Sequence, residues 1–263
     1  MEFSSLQLYI NDSFARQEDF KCFENEFIYF YDKNETYHTI RTQLKNQYFW
    51  LYSKYGKPSP HSEEVLNIND FSLDENPRKK NQVEQTSQLF IIFDFDKDIL
   101  YISNIQQKTF IESIFTDKME NNIMIKNIFK NIDEFYNSIK QIDKITFSSL
   151  KRNLFSKDGF LQDNLKDNYC MEEPEEFTIE AVYKQNLSSK LRNTIAKIRE
   201  EKQRNNIKKI IIQGLDDQGF TKIFNEGNFI DKIFIDLKPD ETGMFNEKDV
   251  QSLIINKLGL NDV

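Results

Sequence analysis

A chain of 263 residues with 43 acidic and 35 basic side chains, net −8, is long enough to bury one large core or two smaller ones. Its 24 Phe, 11 Tyr and many Ile, set against seven Gly and five Pro, call for a globular interior of helices and sheets and exclude a disordered or fibrous chain. The two cysteines, Cys22 and Cys170, exclude a disulfide framework and any CxxC site, and His38 and His61 are too few and too isolated for a zinc or histidine-based catalytic centre. Both thiols read as reduced and buried. No apolar run of about 18 residues is present, and the N-terminus MEFSSLQLYINDSF has neither a basic region nor a continuous apolar stretch, so the chain reads as soluble and cytoplasmic.

In chain order, SLQLYI, ENEFIYFYD and QYFWLYSKYGKP are aromatic-rich runs that end in turn residues and predict strands, with a helix admitted only around TYHTIRTQLKN. The polar segment from 57 to 88 holds three of the prolines and many charges and predicts long loops, with EVLNIND as a short strand. QLFIIFDFDKDILYISN predicts a hairpin that turns at Asp96-Lys97-Asp98. From Lys108 the pattern alternates: helices at KTFIESIFTDKM and NIFKNIDEFYNSIKQ, strand DKITFSSLKRN, helix GFLQDNLKDNY and strand EEFTIEAVYKQ. A basic helix, strands IKKIIIQGL and GNFIDKIFIDLK and a last helix NEKDVQSLIINKLG complete the chain. The expected class is α+β, with two mixed, mostly antiparallel sheets and helices packed on them. Residues 1–120 form a strand-rich domain in this reading, and 121–263 an α+β domain that carries the basic helix.

The basic helix is SSKLRNTIAKIREEKQRNNIKK, Ser188 to Lys209, with eight Lys and Arg against two Glu, net +6 in an acidic chain. Ser188 or Ser189 is a natural N-cap, and Leu191, Ile195 and Ile198 fall on one strip of a helical wheel that packs on a sheet. Lys190, Lys197 and Arg204 form one heptad-spaced row at one shoulder of that strip, and Arg192 and Arg199 form another. A solvated face with a Lys197–Glu201 pair predicts mixed charge. The lopsided charge, continued by Lys208 and Lys209, suits a polyanion backbone better, because each neutralised phosphate releases counterions. Lys151 and Arg152 in SSLKRN, and Arg78, Lys79 and Lys80 in NPRKKN, are smaller clusters that extend such a surface. The acidic DNYCMEEPEEF repels DNA and biases the footprint to one face.

Carboxylates offer little catalytic signal. Asp94, Asp96 and Asp98 alternate in FDFDKD, but Ile99 and Ile105 stand where a calcium loop needs Gly and Glu, so a hairpin turn is the simpler account. Asp236-Leu237-Lys238 in FIDLKPDE matches the tail of a restriction-nuclease-like site, with Asp216 or Asp217 as the upstream acid, and equally describes a strand that ends in charges before Pro239. There is no Gly-rich phosphate loop and no Gly-x-Ser-x-Gly elbow. No catalytic residue, metal ion or cofactor is implied, and the chain reads as a non-enzyme.

The order hairpin LFIIFDFDKDILYISN, helix, EFTIEAVYKQ, long basic helix, IKKIIIQGLDDQGF and strand resembles the RexA-type phage-exclusion proteins, from Gln88 to the C-terminus. The resemblance implies a cytoplasmic homodimer that binds double-stranded DNA with little regard to sequence in an anti-phage or abortive-infection system and signals to a membrane-protein partner. This chain departs from a dedicated DNA binder in being acidic overall. Two readings stand beside it: a metal-dependent nuclease effector or toxin using Asp236 and Lys238, and a protein-interaction module whose basic helix docks on an acidic partner.

Overall fold

The computed structural model describes residues 1–11, 13–31, 35–149, 177–186, 192–193, 195–197, 199–200, 209–227 and 230–260. In chain order the strands are β1 (Glu2–Ile10), β2 (Ser13–Phe14), β3 (Phe27–Tyr31), β4 (Tyr37–Leu44), β5 (Tyr48–Gly56), β6 (Glu64–Leu66), β7 (Leu73–Glu75), β8 (Ser87–Asp94), β9 (Ile99–Ile102) and β10 (Ile123–Phe129). They continue as β11 (Gln141–Ser149), β12 (Phe177–Asn186), β13 (Lys209–Leu215), β14 (Thr221–Asn225) and β15 (Lys232–Phe234). The helices are α1 (Lys108–Met119), α2 (Ile132–Ser138) and α3 (Glu247–Leu258), and the described residues between 192 and 200 are also helical. The class is α+β. No helix among the described residues is long and apolar enough to cross a membrane.

By compactness the chain divides into two units, Met1–Ile125 with Lys232–Val263, and Lys126–Asp231. In the first, antiparallel strands run in the order β1-β9-β8-β5-β4-β3, with β15 and β2 pairing the two ends of β1. Successive side chains on a strand point to opposite faces, and here both faces are apolar. Phe49 and Leu51 of β5 and Leu89, Ile91 and Phe93 of β8 join Phe110, Ile111, Ile114 and Phe115 of α1, together with Phe20 and Phe23 of a 3₁₀ helix at Gln17–Phe23. On the other face Trp50, Tyr52, Phe90 and Ile92 are buried, and α3 is tied to that side. Trp50 Nε1 donates to Glu247 Oε1 at 3.4 Å, Arg41 pairs with Glu247 at 2.8 Å, and Lys97 Nζ donates to the Leu258 carbonyl at 3.3 Å. Val250, Ile254, Ile255 and Leu258 are the buried positions of α3, which starts at an Asn246 cap and ends at Gly259 with φ 70°.

In the second unit β11 lies between β12 and β13, β14 is antiparallel to β13, and Ile128 and Phe129 of β10 run parallel to Ile223 and Phe224 of β14. The core gathers Ile132, Phe135 and Ile139, Ile142 and Ile145 of β11, Ile195, Ile210 and Ile212 of β13, and Phe224.

Several sequence expectations change here. TYHTIRTQLKN holds β4 and no helix, because His38, Ile40 and Thr42 are buried at every second position while Tyr37 and Arg41 are exposed, and its Thr and Ile suit a strand. NIFKNIDEFYNSIKQ is strand as far as Phe129. Its helix is only Ile132–Ser138, started by Asn131, whose side chain accepts from the Asp133 and Glu134 amides. Among the described residues of GNFIDKIFIDLK the strand spans Lys232–Phe234, with Ile235 and Met1 exchanging backbone hydrogen bonds beyond it. Cys22 is exposed, since Phe20 and Phe23 take the inward positions of their short helix. The predicted helix GFLQDNLKDNY, Cys170 and the acidic DNYCMEEP lie outside the described residues.

Candidate nucleic-acid interface

The basic helix is fixed in phase by one side chain. Ile195 is fully buried in the second unit's core, so on a helix of about 100° per residue Lys197 must emerge on the far side. Lys197 is exposed, as are Asn193, Ala196 and Glu200. Arg192 and Arg199 flank Ile195 more closely and meet neighbours. The Arg192 guanidinium lies 4.9 Å from the Tyr136 ring of α2 while the residue stays exposed.

Arg199 is held more firmly. Its Nε donates to Glu226 Oε2 at 2.9 Å and its Nη2 to Glu226 Oε1 at 3.0 Å, a bidentate fork, and it lies 5.7 Å over the Phe224 ring. Its pKa is raised, first by the hydrogen bonds it donates to Glu226 and against the opposing effect of burial. Tyr136 is raised above the usual phenol value by burial, with Arg199 and Arg192 pulling the other way. The Arg192 and Arg199 row therefore lies against α2 and β14, and one of its two charges is matched by a carboxylate.

Lys209 opens β13 and is half-buried. Lys190, Arg204, Lys208, Lys151 and Arg152 lie outside the described residues. Arg78 is a loop fastener: its guanidinium donates to the carbonyls of Ser59, Pro60 and Gln82, while Lys79 and Lys80 are exposed beside it. Tyr136 and Glu226 were not singled out from sequence. The signal available was weak, a tyrosine in a short helix and an acid just past a strand, and only the fold brings them to the two arginines.

The acidic candidates separate. Asp94 is fully buried and accepts from the Asp96 and Lys97 amides at 3.1 Å and from Lys97 Nζ at 2.7 Å, so it closes the β8–β9 turn; Asp96 and Asp98 lie beyond the strand and do not share its face. Asp236 and Lys238 follow β15 without belonging to a strand and are exposed in the first unit, while Asp216 and Asp217 belong to the second. Asp216 caps the β13–β14 turn, accepting from the Gln218 and Phe220 amides and pairing with Lys222 at 3.3 Å. Among the described residues no three His, Cys, Asp or Glu side chains are placed to hold a metal ion. The chain matches no family model, no curated protein and no solved structure.

Proposed function

We propose that this chain binds duplex DNA through its phosphates, without reading sequence, using the cationic side of the helix in its second unit. The observation that supports this is the burial of Ile195, which leaves Arg192 and Lys197 exposed in a segment that carries net +6. Phosphate contacts position a protein on DNA and carry no sequence information, which suits exposed cations repeated along one helix. The contacts are assigned to Arg192, Lys197 and Lys209, and from the sequence to Lys190, Arg204 and Lys208, with Lys151 and Arg152 as an extension. Arg199 is assigned to the fold. The resemblance in element order supports a setting in phage exclusion, as a cytoplasmic homodimer with a membrane-protein partner.

The test is anisotropy of a fluorescein-labelled duplex titrated at rising salt. The six assigned phosphate contacts give a slope of log K against log salt of about −5, and about −7 if Lys151 and Arg152 join them. Arg192→Glu with Lys197→Glu is expected to weaken unrelated duplexes alike and to make the slope shallower by about 2. Unchanged DNA affinity in that folded variant sinks the reading. Binding of polyglutamate with no binding of duplex replaces DNA with an acidic protein partner.

A further inference from the structure

β3 is the last strand on its side of the first unit's sheet: β4 pairs one edge of it, and no strand among the described residues pairs the other. The Thr42 amide donates to the Glu26 carbonyl at 3.0 Å, so in the antiparallel register the Ile28–Ile40 and Phe30–His38 pairs exchange hydrogen bonds. The backbone groups of Phe27 and Tyr29 therefore point off the edge of the sheet. Natural sheets blunt such edges with Lys, Pro or a bulge. Phe-Ile-Tyr-Phe-Tyr has no charge and no proline, and its register with β4 is unbroken.

The side chains at these outward positions are aromatic and uncovered. Phe27 is 54% exposed, Tyr29 76% and Tyr31 54%, with Tyr37 of β4 at 44% on the same face. Phe27 and Tyr29 rings meet at 5.1 Å and Tyr31 and Tyr37 at 4.7 Å, so two ring pairs follow one another along the edge. Ile28 on the opposite face is buried, so the exposed rings are not the strand's contribution to the core.

The charge around the edge selects the occupant. The stretch Glu24 to Glu35 carries four acids and one lysine, and Glu24, Glu26 and Glu35 are exposed. Arg41, opposite Phe27, is matched by Glu247. Aromatic platforms for single-stranded nucleic acid combine rings with cations that track phosphates, and here the flanks are acidic. Self-pairing of two copies through β3 brings together two copies of the net-negative stretch that flanks the uncharged strand, and like charges brought close are destabilising. An extended basic segment meets neither obstacle: its backbone completes the ladder, its Lys or Arg side chains lie over the rings, and its positive charge is drawn by the net-negative residues that flank the strand.

We infer that the β3 edge is a docking strand for an extended segment of a partner protein in which Lys or Arg alternates with apolar residues. The segment pairs antiparallel, as every other neighbour in this strand order does: residues opposite Phe27 and Tyr29 then share their face and direct their N–H groups at β3, so the cationic positions of the partner are the ones that hydrogen-bond.

The probe is a fluorescein-labelled, end-capped peptide of alternating Arg and Val, titrated by anisotropy into the full-length chain. Saturable binding at about 1–100 μM is expected. N-methylation of the Arg residues should reduce affinity by at least about tenfold, and N-methylation of the Val residues, whose N–H groups face away, should leave it. Tyr29→Pro removes an edge N–H without touching the β3–β4 ladder and should abolish binding, with unchanged Trp50 emission reporting an intact fold. Glu24, Glu26 and Glu35 changed together to Gln should weaken binding. No binding up to about 1 mM, or equal loss from both methylation patterns, overturns the proposal. So does binding of oligothymidylate that Tyr29→Pro abolishes, or a dimer in sedimentation that Tyr29→Pro dissolves.

Discussion

Arg192 and Arg199 are seven residues apart on one helical row, yet one is exposed beside a ring and the other is clasped by a carboxylate. Two charge-assisted bonds and a ring contact make Arg199 a fold residue, so Arg199→Ala is expected to lower stability by about 1–3 kcal/mol. Arg199→Lys should recover only part of that, since an ammonium cannot form the fork. Urea melts of the two variants check the order, and the salt slope of DNA binding should stay at the wild-type value in Arg199→Ala, which removes the charge; a slope shallower by about 1 returns Arg199 to the phosphate contacts. The difference between the two arginines was not legible in the sequence, because a helical wheel gives direction from the axis and says nothing of an acid arriving from β14. What the wheel did give was Ile195 as a buried position, since an isoleucine among charged residues has only one favourable place to go.

At the scale of elements, segments with local signals were legible. α1 and α3 carry apolar residues at helical spacing, and α3 adds an Asn cap and a Gly stop. The β8–β9 hairpin follows from two apolar runs around Asp96-Lys97-Asp98. β14 was missed because Thr-Lys-Ile-Phe-Asn is too short to show alternation, and the 3₁₀ helix because its two phenylalanines sit three apart in a polar run. Gly214 inside β13 makes sense only in three dimensions, where an added Cβ would lie 2.7 Å from Ile139 Cδ1 and 2.9 Å from the Gln141 carbonyl. The β13–β14 turn yields a pH prediction. Partial desolvation pushes the Asp216 pKa up, but hydrogen bonds from the Phe220 and Gln218 amides and from Lys222 outweigh it and hold the group below the ordinary carboxylate value. A depressed folded-state pKa contributes stability that is present above the unfolded value, about pH 4, and is lost as the pH falls through the folded one. Asp216→Asn should therefore reduce the fall in urea midpoint between about pH 4 and pH 2. An unchanged slope over that window would remove Asp216 from the acid response.

For the whole molecule, the least legible feature is that the chain returns to its first unit at Lys232. The alternation of helices and strands runs on through the C-terminal half, and no shift in composition marks the return; a boundary drawn from local pattern near residue 120 gives the last helix to the second domain. The tertiary reason lies in β5 and β8, whose alternate residues Tyr48, Trp50, Phe90 and Ile92 make the second face as apolar as the first. An antiparallel sheet with two apolar faces needs two covers. α1 covers one, and α3, anchored by Glu247 to Trp50 and Arg41 and by the Leu258 carbonyl to Lys97, covers the other. Trp50 is the single tryptophan and is 1% exposed, so its emission reports that cover directly. Truncation after Asp231 removes β15 and α3 and is expected to red-shift Trp50 emission and to create binding of a hydrophobic dye. A milder variant keeps the measurement readable if the truncated chain aggregates: Ile254→Ala, at a fully buried position of α3, should cost about 2–5 kcal/mol in a urea melt followed by Trp50. A truncated chain with native Trp50 emission, or an Ile254→Ala melt at the wild-type midpoint, would mean that the strand-rich unit is complete without its returning segment.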